Sequence, residues 1–486
     1  GPPRRVTSEM AYAPSWAGDS KHVLYQSMDK LRLMDVETGE VKDVPVPLTY
    51  TLDVPTTHVV VHAGQLVDGV SPNARQNVDI VIDGNRITSV VAHSDARHAG
   101  ARVVDASGLT VMPGLIEYHS HLQPDLGEAG LRAWLAFGIT TVRSPGGMPY
   151  EAAEFREASD AGRFMGPRVF STGYLLEWQR VYYPMAVPVS NVAQLEMELQ
   201  RAKALQFDLI KSYVRMPEVQ QRRIIEFAHA MGVPSSSHEI YPAAFIGSDG
   251  TEHITGTSRR GFSPKISSLQ RSYEDVALLW GKAQMTMTPT LALGGATLRA
   301  VIASDSTVRS DPRFRLYALW NRSSATGEGG AQQAGGARGE GGGGGGRGRG
   351  GGGGVGGRAG GGRGRGGGGA QAEDSLGPGS LIMRTMRAGT RIVAGTDTPN
   401  AINLHAELAA YVAAGMTPFE ALETATVNPA VALDLDAGSI QAGKLAHLAI
   451  VEGNPLQDIN ATRRVRRVVA NGRVYSLEEL LLGTRH

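Results

Sequence analysis

The sequence predicts an α/β fold built on a (β/α)8 TIM barrel, with a small β-sandwich formed from both flanks and a short β segment at the N-terminus. Three observations lead to this prediction. The middle of the chain alternates eight short predicted strands with helical stretches. Both flanks contain only short β-rich runs separated by Asp-Gly, Ser-Gly and Asn-Gly turns. The 486 residues are too many for one ordinary domain but suit a barrel with small modules.

The composition is that of a globular protein with a sizeable core, because 41% of the residues are hydrophobic and 20% are charged. The chain has no cysteine, which excludes disulfides and thiolate zinc sites. A formal net charge of +1 gives no general attraction to nucleic acid or to an acidic membrane. No apolar run reaches the roughly 18 residues that a membrane-spanning helix needs. We therefore expect neither nucleic acid nor membrane among the partners.

The chain begins with Gly1 and Pro2 rather than with methionine, and no signal peptide is recognisable. We expect that the natural N-terminus has been removed, and a secretory signal could have been removed with it. We therefore favour a periplasmic or secreted location over a cytoplasmic one.

Residues 1–50 are predicted to form a separate β segment. A turn over residues 14–21 leads into a strand at 22–25, a second strand covers 30–36, and Thr38-Gly39 forms a turn. This pattern resembles one blade of a TolB-type β-propeller. One blade cannot bury a core alone. Either the chain is the C-terminal piece of a longer propeller-containing protein, which we favour, or these strands dock on the next domain.

Residues 51–112 and 430–486 are predicted to form the β-sandwich. Both stretches read as strand after short strand, with turns at Asp83-Gly84 and Asn471-Gly472. The predicted strands cover residues 58–62, 78–82, 86–91, 102–105, 446–451, 464–470 and 473–475. Because these β-rich ends bracket an α/β middle, we expect one small unit built from both termini.

Residues 113–429 are predicted to form the barrel. The eight predicted strands cover residues 114–119, 140–143, 168–172, 208–213, 234–238, 252–254, 285–291 and 391–395. The predicted helices include residues 128–137, 150–162, 191–205, 218–231 and 381–388. The active site of such a barrel lies at the C-terminal ends of its strands.

A Gly/Arg-rich insertion at about 327–378 interrupts the barrel before the last of these helices. Glycine-rich composition cannot offset the entropy of ordering the backbone, so we predict a disordered loop insertion. The alternative is a segment that binds single-stranded RNA, as Arg-Gly repeats do. The segment has no aromatic residue for base stacking and lies inside a barrel connection, which favours the loop.

Side chains that can bind metal stand at the ends of several predicted strands. His119 and His121 end the first strand and point the same way, because side chains two residues apart on a strand share a face. Lys211 lies in an apolar strand, where burial disfavours its charged form. The complete set is His119, His121, Lys211, His238, His253 and Asp397.

Each of these residues has an ordinary explanation when it is taken alone. The paired histidines could be hydrogen-bonded in the core, Lys211 could pair with a buried acid, His253 could lie on the surface, and Asp397 could cap a helix. Chance is nevertheless a weak explanation for six such residues at the mouth of one barrel.

These residues and their flanking motifs resemble the amidohydrolase superfamily from about residue 59 to residue 475. The motifs are Met-Pro-Gly-Leu-Ile (112–116) before His-x-His, Gly-Ile-Thr-Thr-Val-Arg (138–143), Ile-Lys (210–211), Ala-Gly-Thr-Asp (394–397) and Gly-Lys-Leu-Ala (443–446). The order His-x-His, Lys, His, His, Asp looks like the binuclear subtype. Its branch contains metal-dependent prolidases, imidazolonepropionases and ochratoxin-type amidases.

The resemblance implies a ligand set for two divalent metals, zinc first, with manganese, cobalt or iron as alternatives. His119, His121 and Asp397 would bind the more buried metal, and His238 and His253 the second. Lys211 would carry a carboxylate derived from CO2 and bridge the two metals, which turns a buried amine into an anion. Asp397 would transfer the proton during hydrolysis by metal-activated hydroxide.

Substrate contacts are expected from residues that follow the lysine. Tyr213 could donate a hydrogen bond to the developing oxyanion, and Arg215 could pair with a substrate carboxylate, if the strand continues past Lys211. Otherwise both residues belong to the loop rim. His405 follows the eighth strand and is expected to line the entrance.

Three positions depart from the superfamily pattern without removing a ligand. Glu117 replaces the usual aspartate before the first histidine, Ser144 replaces the aspartate after Arg143, and His447 replaces the aspartate after Gly-Lys-Leu-Ala. We expect the change at Ser144 to alter the shape of the pocket.

The predicted function is a metal-dependent amidohydrolase that cleaves a C–N bond in an amide or an Xaa-Pro-like dipeptide. We expect a small-molecule amide or peptide substrate and a homo-oligomer. One alternative is a cyclic amidase, imidazolonepropionase-like, or an ester-type hydrolase using the same site. An alternative of another class is a non-catalytic, propeller-linked binding protein with a relic barrel. The six intact residues argue against a relic.

Overall fold

The structure is a computed structural model that describes residues 2–179, 185–254, 274–293, 295–317 and 378–484. The predicted Gly/Arg-rich insertion lies outside the described residues up to residue 377. No helix among the described residues is long and apolar enough to cross a membrane.

The strands and helices of the described residues are numbered here in chain order. The strands are β1 (Tyr12–Trp16), β2 (His22–Ser27), β3 (Lys30–Asp35), β4 (Val41–Val44), β5 (His58–Leu66), β6 (Arg75–Asp83), β7 (Arg86–Ala92), β8 (Arg102–Pro113), β9 (Leu115–Glu117), β10 (Ile139–Ser144), β11 (Arg168–Ser171), β12 (Leu175–Trp178), β13 (Ala186–Val189), β14 (Ile210–Lys211), β15 (Ser235–Ser237), β16 (Gly250–Glu252), β17 (Thr286–Thr288), β18 (Arg391–Ile392), β19 (Leu448–Val451), β20 (Val465–Ala470) and β21 (Arg473–Ser476). The α-helices are α1 (Gly127–Ala136), α2 (Pro149–Asp160), α3 (Val192–Ala204), α4 (Glu218–Met231), α5 (Glu274–Lys282), α6 (Ala296–Ser304), α7 (Pro378–Arg387), α8 (Ile402–Ala413), α9 (Pro418–Thr424), α10 (Val427–Ala432) and α11 (Leu477–Leu482).

The N-terminal residues form a four-stranded antiparallel sheet in the order β1-β2-β3-β4. Two of these strands coincide with the predicted ones at 22–25 and 30–36. The sheet contacts the helices that follow it in sequence, because the rings of Tyr12 and Tyr150 lie 4.9 Å apart and the Arg201 guanidinium lies 3.0 Å from Met10 Sδ. The relation of this sheet to a propeller stays a prediction.

Both flanks of the chain contribute to one seven-stranded sheet, in the order β21-β20-β19-β8-β5-β6-β7. Strand β8 joins the two ends of the chain, since it pairs in parallel with β5 and antiparallel with β19. Val59, Val61 and Ala63 on one face of β5 are buried in one hydrophobic cluster, and Val60 on the other face is buried as well. The two-layer sandwich stays a prediction.

Eight parallel strands lie between these flanks, and they correspond to the eight predicted from the sequence. They pair as a three-stranded sheet, β11-β10-β9, and a five-stranded sheet, β14-β15-β16-β17-β18. The strand ladder is therefore not closed into a continuous barrel. Backbone hydrogen bonds nevertheless cross both seams, for example from Asp208 N to Ser171 O (2.9 Å) and from Tyr118 N to Ala394 O (2.9 Å).

The helices that follow these strands lie close to the predicted positions. Helix α4 has the predicted bounds. Gly232 follows its last residue and caps it, with a φ of +77°, a left-handed conformation that favours glycine. Helix α9 begins with a capping box between Thr417 and Glu420. Strands β12 and β13 form an additional parallel pair that the sequence did not predict.

Candidate metal centre

Three of the predicted ligands meet at the seam between β9 and β18. Nε2 of His121 lies 3.1 Å from Oδ1 of Asp397, and Nε2 of His119 lies 3.4 Å from the same oxygen. One ligand atom from each of the three residues lies within 4.8 Å of the others. The prediction that His119 and His121 point the same way is therefore confirmed.

The other ring nitrogen of each histidine is occupied by a hydrogen bond. Nδ1 of His119 lies 2.7 Å from Glu252 Oε2, and Nδ1 of His121 lies 2.7 Å from the carbonyl oxygen of Gly146. Because both acceptors are oxygens, each Nδ1 donates, and in the neutral imidazole that binds a metal each Nε2 carries the lone pair. Both lone pairs therefore face Asp397.

His253 and His238 extend this cluster along the strand ends. Nε2 of His253 lies 3.7 Å from Asp397 Oδ2, and its Nδ1 lies 2.6 Å from Thr290 Oγ1. The ring centroids of His253 and His238 are 4.6 Å apart, and those of His253 and His119 are 4.7 Å apart. The four predicted histidines are thus brought together by β9, β15 and β16.

Lys211 ends β14 and is buried. Burial lowers the pKa of its amine to about 8, although the nearby carboxylates of Glu252 and Asp397 act in the opposite direction. Lys211 thus lies within electrostatic reach of the same acids that contact the histidines. The six predicted residues thus lie in one region of the structure, and the binding of metal by all six stays a prediction.

Asp397 is held as an anion in this setting. In the absence of a metal, burial acts to raise the pKa of Asp397, but contact with His119 and His121, when their Nε2 atoms carry a proton, and the charge of His253 keep this pKa well below the usual range. The backbone of Asp397 is in the left-handed region, with φ of 53°, as is that of His253, with φ of 61°. Such conformations cost about 1–2 kcal/mol per non-glycine residue and concentrate at functional sites.

Three further residues support the ligands, and the sequence analysis assigned none of them a role. Glu252 accepts from Arg143 Nη2 at 3.0 Å as well as from His119. Arg143 also donates to Tyr118 O at 2.9 Å and stacks on the Tyr118 ring. Glu117 accepts from the backbone N–H groups of His119 and Thr396, at 2.9 and 3.0 Å. The only sequence signal for these residues was a charged side chain on a predicted buried strand.

Tyr213 contacts one of the predicted histidines, whereas Arg215 contacts an acid outside the predicted set. The Tyr213 ring packs edge-on against His238, with centroids 4.6 Å apart. Arg215 forms an ion pair with the buried Glu177, with Nη1 2.5 Å from Oε1. Ser144 is buried, and its hydroxyl lies 3.4 Å from the Gly146 carbonyl that His121 contacts.

His405 does not lie at the entrance, where the sequence placed it. It is buried in α8, with Nδ1 2.9 Å from Thr462 Oγ1 and Nε2 3.0 Å from Phe137 O. Phe137 precedes β10, so His405 lies toward the opposite end of the strands from the metal ligands. Burial and the charge of Arg313 lower the pKa of His405 to about 3, and it is a neutral core residue.

The residues present fit a divalent metal. Nε2 of His119 is buried and has no hydrogen-bond partner among the described residues. A buried imidazole nitrogen without a partner is costly, and here it faces a second imidazole and a carboxylate. Imidazole nitrogen and carboxylate oxygen are ligands that zinc accepts. Glu252 behind His119 has the position of a carboxylate that orients a metal-binding histidine.

Comparison with known proteins points in the same direction. Residues 368–475 match the Amidohydrolase family. This stretch includes Asp397. A dihydroorotase from Pelotomaculum thermopropionicum is 37% identical over 90 residues, which are 17% of this chain and 20% of that protein. The matched region thus spans about a fifth of the length of the curated relatives.

Solved structures resemble the chain over most of its length. A Xaa-Pro dipeptidase with bound methionine has a TM-score of 0.62 and 20% identity, covering 86% of this chain and 100% of the other. A putative prolidase from Bifidobacterium longum has a TM-score of 0.61 and 21% identity, covering 88% and 99%. At this level of identity, the likeness establishes a shared fold.

Proposed function

We propose that this chain is a metal-dependent hydrolase that cleaves the C–N bond of an amide or of an Xaa-Pro-like dipeptide. The observation that carries the proposal is the meeting of His119, His121 and Asp397 at one point, where each histidine directs a lone pair at the carboxylate. The shared fold with a Xaa-Pro dipeptidase and a putative prolidase supports the substrate class.

The proposed centre holds two divalent cations, most simply zinc. His119, His121 and Asp397 would hold one cation, and His238 and His253 the other. A carboxylate on Lys211 would be shared between them. When bound, divalent cations of this kind lower the pKa of water and polarise a carbonyl group.

Lys211 can acquire that carboxylate because its amine is buried. A neutral amine adds to CO2, forming a nitrogen–carbon bond and releasing one proton. Burial lowers the pKa of Lys211 to about 8, so more of the amine is neutral near pH 7 than in an exposed lysine. The product is an anion, which suits a cavity lined by imidazoles and cations.

Asp397 is proposed to move the proton during hydrolysis. Its side chain is 20% exposed, whereas that of His119 is fully buried, so a substrate and a water molecule can reach the Asp397 carboxylate. It can accept the proton of the attacking water and donate it to the leaving nitrogen. Tyr213 is proposed to donate to the developing oxyanion.

Arg215 is proposed to bind a substrate carboxylate. Its ion pair with Glu177 holds the guanidinium in place, and 23% of its side chain is exposed. A guanidinium suits a carboxylate because it can donate two parallel hydrogen bonds. A dipeptide or an N-acyl amino acid provides such a group.

The first test is the substitution Lys211→Ala, with Lys203→Ala on the exposed face of α3 as the matched control. Lys211→Ala should reduce bound divalent metal, measured by elemental analysis, and lower hydrolysis by at least about 100-fold, the scale of losing a catalytic group. Short carboxylic acids should restore part of the activity. Full activity and full metal content in Lys211→Ala would refute the role of the lysine.

The second test is a substrate screen. The purified protein should be assayed with N-acyl amino acids, Xaa-Pro dipeptides and cyclic amides, with Asp397→Asn as the inactive reference. We expect hydrolysis of compounds with a free carboxylate, and Arg215→Met should raise KM for these more than for neutral amides. If no C–N bond is cleaved by a protein that contains its metals, the proposed function is wrong.

A further inference from the structure

A second group of metal-binding side chains lies on the seven-stranded sheet rather than at the barrel mouth. Ligand atoms of His62, Asp79 and His93 lie within 4.8 Å of one another. His98 completes the group, with Nε2 3.8 Å from Asp79 Oδ1. We propose that these four residues form a binding site for a borderline transition-metal cation such as Zn2+, distinct from the proposed hydrolytic centre.

The sheet register brings the first two residues together. His62 on β5 is the direct cross-strand partner of Asp79 on β6. Directly opposed residues in an antiparallel pair have Cβ atoms about 4.5–5.5 Å apart. The turn after β7 then folds back over this pair. It carries His93, and the 3-10 helix Asp95–His98 carries His98 at its end.

The three imidazoles surround one carboxylate. Asp79 is fully buried, and its Oδ1 lies 2.8 Å from His93 Nδ1. The rings of His62 and His93 stack with centroids 3.6 Å apart and an interplanar angle of 8°, and the ring of His98 lies 5.2 Å from that of His93. A cation lies in the plane of the imidazole that binds it, so one of the two stacked rings would have to turn for both to bind the same cation. For His62 this turn would exchange the contact of its Nε2 with Asn77 Oδ1, at 2.8 Å, for the cation. Three imidazoles and one carboxylate make a donor set that suits zinc and neighbouring transition metals rather than magnesium or calcium.

One observation distinguishes this group from an ordinary hydrogen-bonded cluster. Nε2 of His98 is buried and has no hydrogen-bond partner among the described residues. A buried ring nitrogen is normally hydrogen-bonded, and here the nearest acid oxygen is the one already used by His93. A cation at Asp79 Oδ1 would give the His98 nitrogen a partner.

A neighbouring cation does not block this arrangement. The Arg97 guanidinium lies 3.3 Å from the other oxygen, Asp79 Oδ2, and 2.6 Å from Ala92 O. The backbone N–H of Ser94 also donates to Oδ2, at 2.9 Å. These contacts orient the carboxylate and leave Oδ1 toward the histidines. The bound metal would fasten the turn at residues 93–98 to the sheet.

The test is zinc stoichiometry of the full chain, measured by competition with a chromophoric chelator after metal removal. The variant His62→Ala/His98→Ala should bind one equivalent of Zn2+ fewer than the unmodified protein. Addition of Co2+ should give a ligand-field absorption difference between the two proteins. His58→Ala is the matched control, because His58 lies on the same strand and pairs with Asp83, at 2.5 Å, without further histidines nearby.

The single variant His98→Ala keeps the proposal testable if the double variant does not fold. His98 lies in the 3-10 helix, so this change leaves the strands of the sheet intact. It should weaken Zn2+ binding at this site at least about tenfold. Unchanged zinc stoichiometry in the double variant, with unchanged affinity in His98→Ala, would overturn the proposal. Loss of the same equivalent in His58→Ala would do so as well.

Discussion

Glu252 connects residues of the candidate centre that lie far apart in the sequence. One oxygen accepts from His119 Nδ1 and the other from Arg143 Nη2. Burial acts to raise the pKa of Glu252, but Arg143 and His119 hold the pKa well below its usual range. Glu252 is therefore a buried anion that fixes the tautomer and the orientation of one proposed ligand.

The substitution Glu252→Gln should weaken metal binding by about 10- to 100-fold, as is usual when the partner of a metal-binding histidine is lost. The glutamine side chain has one oxygen and one NH2 group in place of the two carboxylate oxygens. Its NH2 group would therefore face either the Nδ1–H of His119 or the Arg143 guanidinium, both of which are donors. The measurement is a competition titration of the metal against a chelator. Glu226→Gln on the exposed face of α4 is the control, and equal affinities in both variants would contradict the role given to Glu252.

The sequence predicted ligands better than it predicted their supports. Five metal-type side chains and one lysine could be recognised, because each stands at or just after the end of a predicted strand. Glu252 and Arg143 each lie on a strand, and only the three-dimensional pairing of those strands brings them together. His405 was misplaced because a histidine shortly after a strand can face either end of the barrel, and here Thr462 and Phe137 fix it in the core.

At the scale of elements, the seam between β9 and β18 depends on the absence of a side chain at Gly395. A Cβ atom there would lie 2.6 Å from Thr288 Cγ2 and 2.7 Å from both Cβ and the backbone N of His119. The close approach lets Thr396 N and Asp397 N donate to His119 O, at 3.0 and 2.7 Å. Gly395 thus sets the distance between two ligand-bearing segments.

Gly395→Ala should therefore destabilise the protein by about 1–3 kcal/mol, the usual cost of overpacking a core. It should also weaken metal binding, because the displaced neighbour is His119 itself. Chemical denaturation measures the first effect and metal titration the second. Gly147→Ala is the matched control, since a Cβ there meets no atom within 4 Å. A Gly395→Ala protein as stable as the control would show that the seam adapts freely.

Helix α8 stabilises the loop that follows β17 through Glu407. Its carboxylate accepts from the backbone N–H groups of Leu291 and Ala292, at 2.8 and 2.6 Å, and from the Tyr411 hydroxyl. The neighbouring Thr290 contacts His253. Burial raises the pKa of Glu407 to about 7, against about 4.3 in an unfolded chain.

This difference predicts the direction of a pH effect. Between about pH 4.3 and pH 7 the folded state holds a proton that the unfolded state has lost, so the contribution of Glu407 falls as pH rises, by about 3 kcal/mol in total. Glu407→Gln does not titrate, so its stability should lack this fall. Urea unfolding at half-unit pH steps gives the difference between the two curves. Parallel curves from pH 5 to pH 8 would rule the effect out.

The elements themselves were predicted with uneven success, for reasons of length and burial. The eight parallel strands β9–β11 and β14–β18 were found because the predicted strands alternate with helical stretches, even though β14 and β18 are only two residues long in the structure. Strands β12 and β13 were missed because their pairing, from Leu175 with Ala186 onward, depends on contacts rather than on residue pattern.

At the scale of the whole molecule, the two ends of the chain are tied into one unit around the barrel. Strand β8 leads directly into β9 and pairs with β19 from the other end of the chain. Asp53, which precedes β5, forms a bidentate ion pair with Arg473 on β21, at 2.7 and 2.6 Å. A sequence pattern can indicate that both flanks are β-rich, but it cannot give the strand order that joins them.

His119 and His121 follow β9 in the chain, and Asp397 follows β18. The strand ladder does not close the seam between β9 and β18. A metal bound by these three residues would therefore link the two strands. Removing the metal should therefore destabilise the whole fold. A ligand at 100 times its dissociation constant stabilises the native state by about 2.7 kcal/mol. We expect the thermal midpoint to fall by a few degrees on chelation and to recover when zinc is restored.

Asp397→Asn gives the reference for this measurement, because it lacks the carboxylate shared by both histidines at the seam. Its midpoint should resemble that of the chelated protein, and chelator should change it little further. His62→Ala/His98→Ala, in contrast, should keep most of the response, since its seam is intact. A chelator response that is equal in the unmodified protein and in Asp397→Asn would mean that the stabilising metal binds elsewhere than between β9 and β18.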